Sequence, residues 1–329
     1  MNHSGYSALQ NLLAGSVRFK RNTTSDIRNR IQRITSYATE VMVKISGHAK
    51  GSDHVRAHLE YISRQGDISL ENERGEIIQS SIELEKLHAD WMHDQGKRHF
   101  NTRDTTNIVL SMPKCTDEKA VKNASRAFAK KQFSLNHQYV FALHTDVDHP
   151  HVHLTVKALG FDGKRLHVKK GEPQQWRELF AEQLRQQGLI AEATPRFVRG
   201  IVRKKEQQVV QTLRKRGLTP RIYSSKVQQA IDELNERQQG KSLSVKPWEP
   251  KIKTRQTLVR KMWLTAAKEL HQSDKEEDKN LSKDIFEFVK KMPILQTERH
   301  LITTKIAEEL ENTNSPLTLG NNVEDQEQR

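Results

Sequence analysis

The sequence predicts an α+β fold: one mostly antiparallel central sheet with helices on one face, followed by a helical C-terminal extension. Three observations in the 329 residues lead there. Strand-like runs come singly or in pairs between helical stretches. The runs Gln138–His144 and His151–Val156 are joined by a loop too short for a parallel crossover, so they pair antiparallel. Beyond Arg196 the pattern is helical and the strand signal stops. Three regions are expected: a basic flexible lead-in over 1–40, a domain over 41–200, and a helical, partly extended region with a polar tail over 201–329.

In the lead-in, Arg18, Lys20, Arg21, Arg28, Arg30 and Arg33 surround a short helical pattern of Ile27, Ile31 and Ile34. This segment is expected to be mobile or laid on a partner. Val41–Ser46 alternates as a strand. After Gly47 and Gly51, Ser52 or Asp53 should cap a helix reaching about Arg64, with Val55, Leu59 and Ile62 as its apolar stripe. His54, His58 and Tyr61 form a second stripe at the same spacing. Residues 66–75 read as a polar loop or short hairpin, and Ile82–Gln95 as a helix docked by Leu84, Leu87 and Trp91. A strand over Asn107–Met112 ends at Pro113. Thr116 or Asp117 then caps a helix with Val121, Ala124 and Phe128 inward. The two histidine-bearing strands follow, then a basic loop and a helix carrying Trp176, Phe180 and Leu184, stopped by Gly188.

The extension begins with an amphipathic pattern of Val202, Val209, Val210 and Leu213. A second helix covers Ser224–Gln239, and a Pro- and Lys-rich linker covers Gly240–Lys253. A third helix, Thr254–His271, should turn Leu258, Met262 and Leu270 inward, and helix continues to about Leu310.

Hydrophobic residues are 34% and charged residues 29%, polar for this length, which fits a core domain plus solvated extension. The net charge of +14 favours nucleic acid or another anionic surface as partner. The single cysteine, Cys115, excludes an internal disulfide framework and a Cys-based zinc site. The apolar patch Leu9–Ala14 lacks the flanks of a signal peptide, and no apolar run is long enough to span a bilayer. No membrane insertion is expected.

The most informative stretch is FALHTDVDHPHVHLTV, residues 141–156. Alternate side chains of a strand share a face, so His151, His153 and Thr155 point one way and Val152, Leu154 and Val156 the other. In the preceding strand Tyr139, Phe141 and Leu143 share the apolar face, opposite Val140, Ala142 and His144. Pairing the strands sets His144 opposite His151 and small Ala142 opposite His153. Three imidazoles then converge with room beside Ala142 for an ion. Three His ligands with open positions suit a catalytic metal rather than a closed structural site. Asp146 shares the parity of His144 and could orient an imidazole; a turn residue in a tight loop is the alternative. Such a metal stabilises charge at phosphorus but leaves the nucleophile to a bound water or a side chain. Tyr139 faces the core by parity, and Tyr61 is the tyrosine inside the domain and off its apolar stripe. By pattern alone, Tyr61 reads more simply as an ordinary half-buried helix residue.

The segment HTDVDHPHVH at 144–153 resembles the third motif of conjugative relaxases of the HUH endonuclease superfamily, in the MobP class that includes the Agrobacterium T-DNA border nickase. HLEYISRQG at 58–66 is similar to the first motif of that class, and IVLSMP at 108–113 to the second. The resemblance covers about residues 41–200. It implies Tyr61 as nucleophile, His144, His151 and His153 as ligands of Mg²⁺ or Mn²⁺, and Ser111 as a DNA contact near the cut. Lys157 stands where many members have Asn, and its parity suggests a phosphate contact. The implied activity is site-specific nicking of single-stranded DNA at an origin of transfer, through a 5′-phosphotyrosine intermediate, and rejoining after plasmid mobilization. Relaxosome accessory proteins and a type IV secretion coupling protein are the implied partners. A bacterial cytoplasmic location is implied, with transfer alongside DNA into a recipient cell left open. Three other readings stay open: a rolling-circle replication initiator, whose tyrosine usually follows the histidine pair, a metal-water phosphodiesterase, and a non-catalytic DNA-binding accessory protein.

Overall fold

Strand alternation in this chain builds a six-stranded sheet in which every neighbouring pair is antiparallel. The computed structural model describes Leu13 and residues 24–93, 99, 101–201, 208–218, 221–240, 246–295 and 298–313. In chain order the strands are β1 (Thr39–Glu40), β2 (Met42–Gly47), β3 (Leu70–Asn72), β4 (Ile77–Ile78), β5 (Thr105–Ser111), β6 (Tyr139–His144), β7 (His151–Lys157) and β8 (Ala191–Glu192). The spatial order is β2-β5-β7-β6-β3-β4, and β1 and β8 make a separate two-residue parallel pair. The expected α+β class and antiparallel sheet are therefore present.

One face of the sheet presents Val43, Ile108, Leu110, Tyr139, Phe141, Val152, Leu154 and Val156, all buried. Two helices cover it, α4 (Glu118–Phe133) and α5 (Glu172–Gln186), through Val121, Ala124, Phe128, Trp176, Phe180 and Leu184. Asp117 caps α4, its carboxylate accepting from the amides of Lys119 and Ala120. The other face is not bare, as helices on a single face would leave it. There α2 (Ser52–Ser63) and α3 (Ser81–His93) pack over Val140 and Ala142 through Val55, Leu59, Ile62 and Trp91. The apolar Val140 and Ala142 demand cover beside the polar histidines, and α2 supplies it without burying the whole face.

Helix α2 starts differently from the local pattern. Its N-cap is Gly51, at φ 86°, and neither Ser52 nor Asp53 caps it. The Gly51 amide instead donates to Asp104 Oδ2 at 2.6 Å, a carboxylate 53 residues away in sequence. Leu59 is fully buried under α2, so Leu59→Ala should destabilise this unit by roughly 2–5 kcal/mol. Urea denaturation measures that loss, which an unchanged midpoint would refute.

The lead-in is partly structural. Helix α1 (Thr24–Thr35) buries Ile27, Ile31 and Ile34. Arg30 bridges Glu178 and Glu192 at 3.1 and 3.3 Å, Arg33 meets Glu192 at 2.9 Å, and Arg28 meets Asp278 at 2.6 Å. These arginines neutralise partly buried carboxylates, which corrects the reading of a loose basic arm over 24–35. Residues 1–12 and 14–23, with Arg18, Lys20 and Arg21, lie outside the described residues.

The chain divides into two compact units, residues 1–195 with 269–285 and residues 196–268 with 286–329. Described helices after β8 are α6 (Gln208–Lys215), α7 (Arg221–Gln238), α8 (Glu249–His271), α9 (Glu276–Lys290) and α10 (Glu298–Thr313). In the second unit Trp263 is buried, meets Phe288 edge-on at 5.1 Å and donates its indole N–H to Val198 O at 2.9 Å. Arg299 of α10 pairs with Glu233 of α7. The inward face of α8 is rotated from expectation. Leu258 is 54% exposed, while Val259, Trp263, Ala266 and Ala267 are buried along with the expected Leu270. The indole is the largest group on the helix and sets which side turns in. Helix α8 also begins at Glu249, within the expected linker, because Pro250 is tolerated in a first helical turn. Val202 and the side chain of Tyr223 lie outside the described residues.

Candidate active site

The β6–β7 register sets His144 opposite His151 and Ala142 opposite His153, as strand parity requires. One imidazole nitrogen from each of His144, His151 and His153 lies within 4.8 Å of the others. Ring centroids are 4.5 Å apart for His144–His153, 5.1 Å for His151–His153 and 5.3 Å for His144–His151. The backbone orients two of the rings. His144 Nε2 donates to Ile62 O at 2.8 Å, and His151 Nδ1 donates to His149 O at 3.0 Å. Each bond fixes a tautomer and leaves the other nitrogen of that ring with its lone pair. Burial pushes the His153 pKa down to about 3, helped by the neighbouring imidazoles, and burial also lowers that of His144. Mutually close imidazoles, two of them held by backbone carbonyls, fit a borderline divalent cation.

Helix α2 brings Tyr61 over this cluster. The three-residue spacing from His58 and the buried Leu59–Ile62 stripe turn the phenol sideways, 62% exposed. Its ring stands edge-on to His153 at 5.5 Å, 6.4 Å from His144, and stacked on His58 at 6.1 Å. The helix stops immediately afterwards, with Arg64 and Gln65 both left-handed at φ 50° and 58°. Ser111 lies next to the cluster on β5, paired with His151 across the β5–β7 ladder and buried.

Residues 61–189 match the family model described as "Relaxase: MobA/VirD2-like, nuclease domain". The chain carries a MobA/VirD2-like relaxase nuclease domain. It is also similar to proteins named T-DNA border endonuclease VirD2. It is 29% identical to that of Rhizobium radiobacter over 183 residues, 49% of this chain and 43% of the relative. It is 28% identical to those of Rhizobium rhizogenes and Agrobacterium fabrum, again over 49% of this chain, covering 42% and 41% of the relatives. The chain thus spans less than half the length of the curated relatives it matches. Among the described residues, no helix is long and apolar enough to cross a membrane.

Two expected site residues of the relaxase domain sit elsewhere. Asp146 forms an ion pair with Arg64, which holds its carboxyl below the usual range. The hydrogen bonds that orient His144 and His151 are accepted by the carbonyls of Ile62 and His149. The guanidinium is the stronger partner for a solvent-side carboxylate, so Asp146 ties the loop between β6 and β7 to the end of α2. Lys157 has the parity of the histidines but is only 7% exposed, and its ammonium donates to Gln138 Oε1 at 3.2 Å. It is buried in the sheet rather than presented to a phosphate. Tyr139 is buried as expected, and burial raises its pKa to about 12.

Sequence reasoning placed His58 on the stripe of Tyr61 without giving it a role. Its Nε2 meets Thr155 Oγ1 at 3.0 Å, and its ring backs the Tyr61 phenol, so it braces Tyr61 against β7. Burial lowers its pKa from 6.5 to about 4. The unfolded chain therefore binds the extra proton between those values. Stability is full above pH 6.5 and falls as pH drops to 4, by up to roughly 3 kcal/mol for this group at 1.36 kcal/mol per unit. Denaturant midpoints across pH 4–7 should fall less steeply in His58→Gln than in the native chain; parallel profiles would refute this assignment.

Proposed function

We propose that the relaxase domain cuts one DNA strand at an origin of transfer and later rejoins it. The observation that carries this reading is the exposed Tyr61 phenol beside three converging imidazoles. Tyr61 Oη attacks the phosphorus of one phosphodiester. The Oη–P bond forms, the P–O3′ bond breaks, the phenolic proton leaves to solvent and O3′ takes up a proton. The products are a 5′-phosphotyrosyl strand held by the protein and a free 3′-OH. Because the ester bond is exchanged rather than hydrolysed, attack by a 3′-OH reverses the step.

His144, His151 and His153 hold the divalent cation, Mg²⁺ or Mn²⁺. When bound, it offers a positive charge to the scissile phosphate. The carbonyl bonds of Ile62 and His149 keep the imidazoles in the ligating tautomer. Ser111, beside His151, contacts the strand near the cut. We assign this chemistry to residues 41–200, with relaxosome accessory proteins and a secretion coupling protein as its partners.

The test is incubation with supercoiled plasmid bearing the protein's own transfer region and Mg²⁺ or Mn²⁺, stopped with detergent. A nicked circle with protein fixed at the 5′ end is expected. Nicked circles with free 5′-phosphates would instead indicate attack by water.

A further inference from the structure

A cavity opens on the histidine face of the sheet. It has a volume of about 310 Å³ and is lined by His48, Ala49, Lys50, His54, His58 and Asn107. We propose that this cavity is a nucleotide subsite, holding one nucleotide of the single strand next to the phosphate that Tyr61 attacks. The inference rests on the nicking reading above and adds where the strand lies.

Position comes first. Asn107 pairs with Thr155 on β7, two residues from His153, about 7 Å along the strand. One extended nucleotide step spans that distance. His58 belongs to both places: it lines the cavity and stacks on Tyr61. The cavity therefore adjoins the ring that backs Tyr61, where a strand whose phosphate meets Tyr61 would continue.

Chemistry comes second. The lining holds three imidazoles, one ammonium and one carboxamide, and no carboxylate. Asn107 is only 7% exposed, and its donor is aimed by its neighbours. Thr105 Oγ1 accepts from the Ala49 amide at 3.3 Å and donates to Asn107 Oδ1 at 3.0 Å. With its oxygen engaged, the carboxamide offers its –NH₂ as the free donor, suited to a phosphate oxygen or a base carbonyl. Lys50 and His54 stand exposed at the rim, where a phosphodiester passes. Imidazole faces supply stacking surface for a base. A duplex keeps its bases paired and stacked and cannot lend one to a cavity of about 310 Å³, so the ligand class is single-stranded.

Fluorescence anisotropy with labelled (dT)₁₆, a matched duplex and the Tyr61→Phe protein tests this. That background binds DNA without cutting it. His54→Ala, Lys50→Ala and Asn107→Ala should each weaken (dT)₁₆ binding about 3–10-fold, one to a few phosphate or stacking contacts' worth. Lys50→Ala should also reduce the salt slope by about 0.7, the single-strand value for one phosphate. Duplex affinity should not change. His54 is exposed, so its variant remains informative if Asn107→Ala fails to fold. Native affinity in both rim variants, or an equal loss for duplex, overturns the subsite. Weakened binding in a protein that never nicks DNA keeps the subsite and removes the nuclease reading, so the two proposals fail separately.

Discussion

Tyr61→Phe is expected to abolish the covalent protein–DNA adduct and to slow nicking by about 10⁴-fold or more, ~5 kcal/mol of lost transition-state stabilisation at 1.36 kcal/mol per factor of ten. The substitution removes one oxygen and keeps the ring. The ring is 62% exposed and rests on His58 and His153, so packing barely changes. Stability should hold within about 0.5 kcal/mol, as for other surface substitutions. Single-turnover cleavage of a labelled oligonucleotide measures the rate, and a denaturation curve checks the fold. A variant that cuts at the native rate would make Tyr61 a structural residue and return the nucleophile to water.

The second large effect belongs to the imidazole cluster. His151→Ala with His153→Ala should remove divalent-ion binding and slow cutting by about 10³-fold, because a metal supplies several kcal/mol of charge stabilisation at phosphorus. Mn²⁺ titration calorimetry reads the binding directly. These two residues are better targets than His144, whose Nε2 holds the Ile62 carbonyl of the tyrosine-bearing helix. Removing His144 would leave that carbonyl without its partner, at a cost of about 1–3 kcal/mol, and confuse a metal effect with a displaced α2. DNA affinity should survive in the double variant. Full activity there would end the metal assignment.

Much of this centre was legible because strand parity is a strict rule. The order of apolar and polar residues in Phe141–Val156 dictates which side chains share a face, and the short loop dictates the pairing. The register His144–His151 follows from those two constraints. The Leu59–Ile62 stripe likewise fixed which way Tyr61 could not point. Partners distant in the sequence were out of reach. Asp104 caps α2 across 53 residues, and Arg64 claims Asp146 only because α2 ends in two left-handed residues. Lys157 shows the limit of parity: it gives the face but not the depth, and here the side chain is covered. In α8 the apolar positions were dense enough for two neighbouring stripes, and the size of Trp263 decided between them. The isoleucines of α1 marked its buried face. Its arginines read as a binding arm because their carboxylate partners, Glu178 and Glu192, come some 150 residues later.

The most direct measurement is the identity of the residue bonded to DNA. The protein is incubated with its transfer-region oligonucleotide and Mn²⁺, denatured, digested with trypsin and nuclease, and sequenced by mass spectrometry. The account predicts a nucleotide phosphate on Tyr61 within the peptide Ala57–Arg64. A phosphate carried by another residue, such as the exposed Tyr37, or cleavage that leaves every peptide unmodified, would contradict it.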